Sequence, residues 1–239
     1  MRTALLLLAT GEKYQQYVQP LLESARKFFV PHDALIWTDN RQIGKAFYKQ
    51  GLGYPNETLY RYHTFLTQEG LLRSYDYLFY SDIDMRFVAP VIEEEIFSDG
   101  ITATLHPGFA HERIDKKSGD FVPTCGTPER ANPISTAYIA KGTDNKYFCG
   151  GFNGGTSETY LRMARVIKKN IDIDKENFGM GYSAKWHDES HLNRYLYDNQ
   201  PAKILTPSFC YPEDYDGGYG WTPNTYEPKL IALDKGKKR

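Results

Sequence analysis

The chain has 239 residues and a formal net charge of -1, with 41% apolar and 15% aromatic side chains, among them 19 tyrosines. That length suffices for one well-buried core, and the near-neutral balance argues against the basic field that nucleic acid demands of a partner. Three cysteines, Cys125, Cys149 and Cys210, without C-x-x-C spacing argue against a disulfide framework or a zinc ribbon and for a reducing compartment.

The run over 3–9 (TALLLLA) is continuous in apolar residues, as a parallel strand covered on both faces is. It is too short to span a bilayer and lacks a signal peptide's longer apolar core and cleavage site. The expectation is a cytoplasmic protein with no membrane segment. Thr10-Gly11 turns out of the strand. Apolar positions Tyr17, Val18, Leu21, Leu22, Ala25 and Phe29 then predict a helix over 14–29, and 33–38 (DALIWT) predicts a second strand. Strand, helix, strand opens a nucleotide-binding α/β fold. Backbone amides after the first strand suit a base or phosphate, with Tyr14 placed to stack. No G-x-G-x-x-G follows, which argues against a dinucleotide.

Residues 41–57 read as irregular, and a helix over 58–73 carries Arg61 near its start. The stretch Tyr77-Leu78-Phe79-Tyr80-Ser81-Asp82-Ile83-Asp84-Met85-Arg86-Phe87 then runs as a buried strand into two aspartates spaced i, i+2. In an extended backbone such side chains share a face, so Asp82 and Asp84 can converge on one hard cation, Mn²⁺ or Mg²⁺, beyond the strand's carboxyl end. The plainer reading of an isolated Asp-x-Asp is a polar turn. A short acidic helix is expected over 90–97 and a strand over 101–105 delivers His106. Residues 108–135 are irregular. Gly150-Gly151-Phe152-Asn153-Gly154-Gly155 lets backbone approach a ligand or serves tight turns, and is no Walker loop. An amphipathic helix follows over 156–173. With no repeat and no clean boundary, 1–239 reads as one domain, its end (about 229–239) as a mobile tail.

Trp186-His187-Asp188-Glu189-Ser190-His191-Leu192-Asn193 is the second concentration of chemistry. Asp188 reads as the N-cap of a helix carrying Leu192, Tyr195 and Leu196, with Glu189 a first-turn acid. Histidines at i, i+4 suggest a zinc protease, but that motif puts glutamate directly after the first histidine, where this chain has Asp188. The third reading aims Asp188 or Glu189 at a sugar carbon, with Trp186 as an aromatic platform.

Taken together, these segments resemble glycosyltransferase family 6, the family of the histo-blood-group A and B transferases and the α-1,3-galactosyltransferases, in a microbial or viral form. The motifs at 77–87, His106-Pro107-Gly108-Phe109, 150–155, 186–193 and Lys203-Ile204-Leu205-Thr206-Pro207 occur in the family's order. The resemblance implies a GT-A fold, with a Rossmann-like nucleotide-binding half and a mixed central sheet. It implies retaining transfer from UDP-GalNAc or UDP-Gal in α-1,3 linkage to a terminal galactoside. Ala9, Thr10 and Tyr14 would surround the uridine, with Arg61 nearby. Asp82, Ile83 and Asp84 would meet the diphosphate, the two aspartates through Mn²⁺. Cys149, Gly150 and Gly151 would line the donor sugar, and the small Gly151 leaves room for an acetamido group, favouring GalNAc. Asp188 would bind the donor sugar, Glu189 would act as nucleophile or electrostatic stabiliser, and His106 and Trp186 would contact the acceptor. Bacterial members often replace both aspartates with asparagine, and this chain keeps both. It also reads as a catalytic domain without the animal enzymes' anchor.

The basic end, with Lys235, is placed to fold over the diphosphate and exclude water. Two other classes remain. A dehalogenase-type phosphatase also uses Asp-x-Asp but expects Thr or Val where Phe87 stands, and a carbohydrate-binding module uses tyrosines without needing a second carboxylate cluster.

Overall fold

The computed structural model describes residues 1–110, 113–114, 121–122, 126–142, 146–215 and 225–236. In chain order the elements are β1 (Thr3–Ala9), α1 (Glu12–Gln15), α2 (Val18–Phe28), β2 (Asp33–Thr38), β3 (Phe47–Tyr48), α3 (Asn56–Leu59), α4 (Arg61–Leu66), α5 (Glu69–Leu72), β4 (Tyr77–Ser81), β5 (Met85–Phe87), α6 (Glu93–Ile96) and β6 (Ile101–Leu105). They continue with β7 (Arg113–Ile114), β8 (Phe121–Val122), β9 (Phe148–Thr156), α7 (Ser157–Phe178), α8 (His187–Asp198), β10 (Lys203–Leu205), β11 (Tyr211–Pro212) and β12 (Leu230–Ala232).

Seven strands form the central sheet in the order β10-β6-β9-β4-β1-β2-β3. β9 runs antiparallel to both of its neighbours, β4 and β6, and the other pairings are parallel. This is the mixed α/β sheet of the GT-A fold, as expected. β1 sends alternate side chains to opposite faces. Ala4 and Leu6 join a core with Phe65, Tyr160, Ile167 and Leu196 of the helices α4, α7 and α8. Leu5, Leu7 and Ala9 join a second with Val18, Leu21 and Ala25 of α2 and a stack of Phe29, Phe79, Phe87 and Phe152. Burial on both sides is why the strand reads as uninterrupted apolar sequence. Gly154 is required by close approach, because a Cβ there would run into the Phe79 ring of β4.

Several local expectations are corrected. The helix over 14–29 is two helices, α1 and α2. The helix over 58–73 is three short pieces, α3, α4 and α5. Within it the hydroxyls of Thr64 and Thr67 donate back to the carbonyls of Tyr60 and Thr64, a side-chain competition that loosens helical pairing. Asp82-Ile83-Asp84 is a turn between β4 and β5 rather than extended strand. The glycine-rich segment is itself β9, a strand buried along nearly its whole length. Asp188 is not the N-cap: α8 begins at His187, with Trp186 in the cap position and no side-chain cap. Of the stretch expected as a tail, Leu230–Ala232 is β12, paired antiparallel with β5, and 237–239 lie outside the described residues. Among the described residues no helix is long and apolar enough to cross a membrane.

Candidate active site

Two cavities meet beyond the carboxyl ends of β1, β2 and β4. One, of about 370 Å³, is walled in part by Thr10, Tyr14, Arg61, Asp82, Ile83 and Asp84. The other, of about 220 Å³, is walled in part by Arg61, Asp82, Gly150, Gly151, Trp186, Asp188 and Glu189. Tyr54, Thr58, Arg61 and Asp82 belong to both walls, so the two are halves of one cleft. A larger open groove of about 780 Å³ beside the start of α7 holds none of the residues singled out from the sequence.

The cleft is organised on two consecutive glycines of β9. Between the pairs Ala103↔Asn153 and Leu105↔Phe148 the register shifts, so β9 bulges over Cys149 to Phe152. Bulges of this kind re-aim backbone and side chains beside functional sites. Here the Gly150 N–H donates to Glu189 Oε2 at 2.8 Å, while the Gly151 carbonyl accepts the Asp82 N–H at 2.8 Å. A Cβ on Gly150 would sit 3.5 Å from Glu189 Oε2, and one on Gly151 would sit 3.2 Å from Asp82 Oδ2. The tight approach is at Gly151, while Gly150 would meet Glu189 at ordinary contact distance, and two carboxylates from elements a hundred residues apart thus close on one strand.

Arg61 ties the walls together. Its side chain is 4% exposed, and its Nε lies 2.9 Å from Asp188 Oδ2 in an ion pair. Its Nη1 donates to the Gly150 carbonyl at 2.9 Å and lies 3.6 Å from Asp82 Oδ1, with the guanidinium 4.1 Å from the Tyr80 ring centroid. Burial opposes its charge, but Asp188, Tyr80 and Asp82 more than offset that and hold the guanidinium protonated. Burial pushes the Asp188 carboxyl up to about 7 against the pull of Arg61, with Asp82 and Glu189 adding to the rise. Asp188 Oδ1 has no hydrogen-bond partner among the described residues, which leaves one buried acceptor for a ligand hydroxyl. Glu189 is also raised by burial, against the Gly150 N–H and the Tyr147 hydroxyl, which donates to Oε1 at 2.8 Å.

The aspartate pair has hard-oxygen chemistry. Asp82 is half-exposed and accepts the Tyr80 hydroxyl, while Asp84 is buried and paired with Lys235 Nζ at 2.6 Å. Burial and then Asp82 raise the Asp84 carboxyl, which Lys235 counters. A buried carboxylate that already draws in an ammonium beside a second carboxylate fits a divalent cation. Mg²⁺-type sites use one or two carboxylates and complete the shell from substrate phosphates. Among the described residues no group of three or more His, Cys, Asp or Glu gathers at metal-binding distances. The histidine pair that suggested a protease is split. His187 bonds Tyr54 and Ser183, whereas His191 is buried beside Thr136 and Asp174.

The cleft thus brings together Thr10, Tyr14, Arg61, Asp82, Ile83, Asp84, Gly150, Gly151, Asp188, Glu189 and Trp186. Trp186 is 45% exposed, its indole N–H donating to Thr127 Oγ1 at 2.8 Å. Ala9 is fully buried within β1 and walls neither cavity. Cys149 is buried within the bulge and walls neither cavity, and Lys235 meets the cleft wall at Asp84 and, 5.6 Å from its ring centroid, at Tyr14. His106 is one layer back: its ring packs at 5.7 Å against Tyr147, which in turn holds Glu189. Tyr54, Glu57 and Tyr147 went unmarked in the sequence, and His187 was marked only as one of the protease-like pair. Tyr54 has no motif around it, and Tyr147 looked like strand.

With its mixed sheet, its Asp-x-Asp turn and its divided cleft, the molecule has the architecture of a GT-A glycosyltransferase. The chain belongs to glycosyltransferase family 6, whose sequence profile matches residues 62–225. It is 33% identical to histo-blood group ABO system transferase 1 of Rattus norvegicus over 67% of this chain and 41% of that protein. It is 29% identical to globoside alpha-1,3-N-acetylgalactosaminyltransferase 1 of Homo sapiens over 84% of this chain and 58% of that protein. It is also 24% identical to the O-antigen biosynthesis glycosyltransferase WbnI of Escherichia coli over 97% and 94%. The chain therefore spans about half the length of the animal relatives it matches.

Proposed function

We propose that the chain is a retaining hexosyltransferase that moves GalNAc, or else Gal, from a UDP-sugar in α-1,3 linkage onto a terminal galactoside. The observation that carries the reading is the pair of neighbouring β9 glycines that hold Asp82 on one wall and Glu189 on the other. A UDP-sugar is long enough to occupy both halves of the cleft, its nucleotide beside Thr10 and Tyr14 and its sugar between Arg61, Asp188 and Glu189. The names of the rat and human relatives support the reaction class, and that of the human one supports GalNAc and the α-1,3 linkage.

In this reading Asp82 and Asp84 hold Mn²⁺, or Mg²⁺, which supplies neutralising charge to the departing diphosphate. Asp188 accepts a donor-sugar hydroxyl through Oδ1, with Arg61 favouring its ionised form against burial. Glu189 stands at the sugar's face away from UDP. As the bond from the anomeric carbon to UDP oxygen breaks, its carboxylate stabilises the positive charge at that carbon, by attack or by field alone. Trp186 offers a ring face to the acceptor, and His106 positions Tyr147 beneath Glu189. Gly151 leaves room for an acetamido group.

Purified protein should transfer label from UDP-GalNAc to a panel of terminal galactosides with Mn²⁺ present, retaining the α configuration. UDP and Mn²⁺ together should raise the melting temperature more than the sum of each alone. No transfer from either UDP-sugar, with no mutual reinforcement, would overturn the reading and leave a carbohydrate-binding module in its place.

A further inference from the structure

We propose that Tyr80 is a positioning residue that sets which cation the aspartate pair takes. Its hydroxyl engages one oxygen of Asp82, limits that carboxylate to a single ligating atom, and so favours Mn²⁺ or Mg²⁺ over Ca²⁺. The inference rests on the role proposed above for Asp82 and Asp84 as metal ligands and names a residue that acts on them.

Tyr80 ends β4 two residues before Asp82 and is 4% exposed. Its ring packs with its centroid 5.5 Å from that of Phe65 and 4.1 Å from the Arg61 guanidinium, so its hydroxyl has little freedom to turn away. That hydroxyl donates to Asp82 Oδ1, and Arg61 Nη1 lies 3.6 Å from the same oxygen. The rest of Asp82 is held too. Its N–H donates to the Gly151 carbonyl at 2.8 Å, and its own carbonyl accepts the Ser81 hydroxyl at 3.0 Å. Oδ2 accepts no hydrogen bond among the described residues, and glycine at 151, where a Cβ would come within 3.2 Å, keeps it clear. The side chain is 40% exposed and walls both halves of the cleft, so Oδ2 is the atom it has to offer.

A carboxylate with one free oxygen suits an octahedral ion that takes single oxygens from one or two carboxylates and the rest from phosphate and water. Ca²⁺ is larger, gathers about six to eight oxygens and is well served by carboxylates that give two. Removing the hydroxyl returns Oδ1 to the metal side as a second ligand atom, which the larger ion uses and the octahedral one does not. Phenylalanine at 80 makes only that change, since its ring still packs on Phe65 and under Arg61.

The test uses the full chain with UDP and follows Mn²⁺ by electron spin resonance, corrected for Mn²⁺ held by UDP alone. In the parent, Mg²⁺ should displace bound Mn²⁺ at roughly a tenth of the Ca²⁺ concentration needed. Equal displacement by the two overturns the proposal, whatever any variant does. Tyr80→Phe should weaken Mn²⁺ binding roughly tenfold, as loss of a hydrogen bond to a ligating group does, and bring Mg²⁺ and Ca²⁺ within about threefold of each other. Its melting temperature without metal should fall by at most about 5 °C, the effect of one lost hydrogen bond. A lower melting temperature with an unchanged Mg²⁺ to Ca²⁺ ratio assigns Tyr80 a merely structural role and overturns the proposal while the metal site stands. A parent that takes up no Mn²⁺ beyond that held by UDP overturns the metal site of the proposed function and this inference with it.

Discussion

Replacing Glu189 by Gln isolates its charge from its shape. The carboxylate accepts the Tyr147 hydroxyl through Oε1 and the Gly150 N–H through Oε2, each at 2.8 Å. A glutamine keeps its oxygen on the Gly150 N–H and turns its NH₂ to the Tyr147 hydroxyl, which accepts as readily as it donates. Both hydrogen bonds therefore survive. Because burial raises the Glu189 carboxyl, its ionisation destabilises the fold as pH rises above the unfolded value. The amide removes that cost, so the variant should melt no lower than the parent at pH 7, and its advantage should fade on acidification. Turnover should behave in the opposite way. Loss of one preorganised charge is worth about 2.7–4 kcal/mol, or 10²–10³ in kcat, with donor KM nearly unchanged because the charge acts at the transition state. Steady-state transfer from UDP-GalNAc, UDP titration by calorimetry and a melting curve at two pH values measure the three quantities. A variant that turns over within threefold of the parent would remove Glu189 from the chemistry.

Asp82→Asn with Asp84→Asn should abolish the response to Mn²⁺ and, in its absence, tighten UDP binding by roughly 1 kcal/mol per removed charge; an unchanged Mn²⁺ response sinks this. Arg61→Met strips the cation from Asp188, whose side chain is 1% exposed, and should cost about 3–5 kcal/mol in urea unfolding, partly recovered by adding Asp188→Asn. Equal losses in the single and double variants would show that the pair is not coupled. Burial lowers His106 from 6.5 to about 4, so its contribution is complete above the unfolded value and is lost as pH falls through that window. His106→Asn should therefore lose less stability than the parent between pH 7 and pH 5, by about 2 kcal/mol at most, and parallel curves would refute it. Gly154→Ala should destabilise by about 1–3 kcal/mol through overpacking against Phe79, with an unchanged melting temperature as the contrary result.

Strands β1, β2 and β4 were legible because residues packed on both faces leave an unbroken apolar run, and Asp82 and Glu189 because each ends or begins an element at the cleft. Other features were hidden for physical reasons. Nothing in Gly150-Gly151 distinguishes a bulged strand from a turn, since glycine serves both, and the bulge is imposed by the pairing of β9 with β6. Asp188 has an N-cap's chemistry, but Arg61 offers it a buried partner that a backbone N–H does not match. The break of the expected long helix depends on threonine hydroxyls turning inward, which periodicity does not record. Tyr147 gains its role only from a neighbour distant in sequence, Glu189.

The charge around the cleft explains why its parts belong together. Asp82, Asp84, Asp188 and Glu189 share the cleft with the buried Arg61 guanidinium, Lys235 pairs with Asp84 and Lys13 lines the larger half, and burial raises Asp84, Asp188 and Glu189. Such a site repels a diphosphate, so an anionic donor and a hard dication each lack what the other brings. Lys235 is what Asp84 finds among the chain's own residues, held at 2.6 Å on a short segment that follows β12. In the proposed reading, a cation held by Asp84 would compete with this ammonium and leave it available to phosphate oxygens. Arg61, by contrast, is held by Asp188, by the Gly150 carbonyl and by Tyr80, so it cannot be released. On that reading Arg61 would fix the geometry of the sugar side, and Lys235 would be the cation left to respond to charge on the nucleotide side.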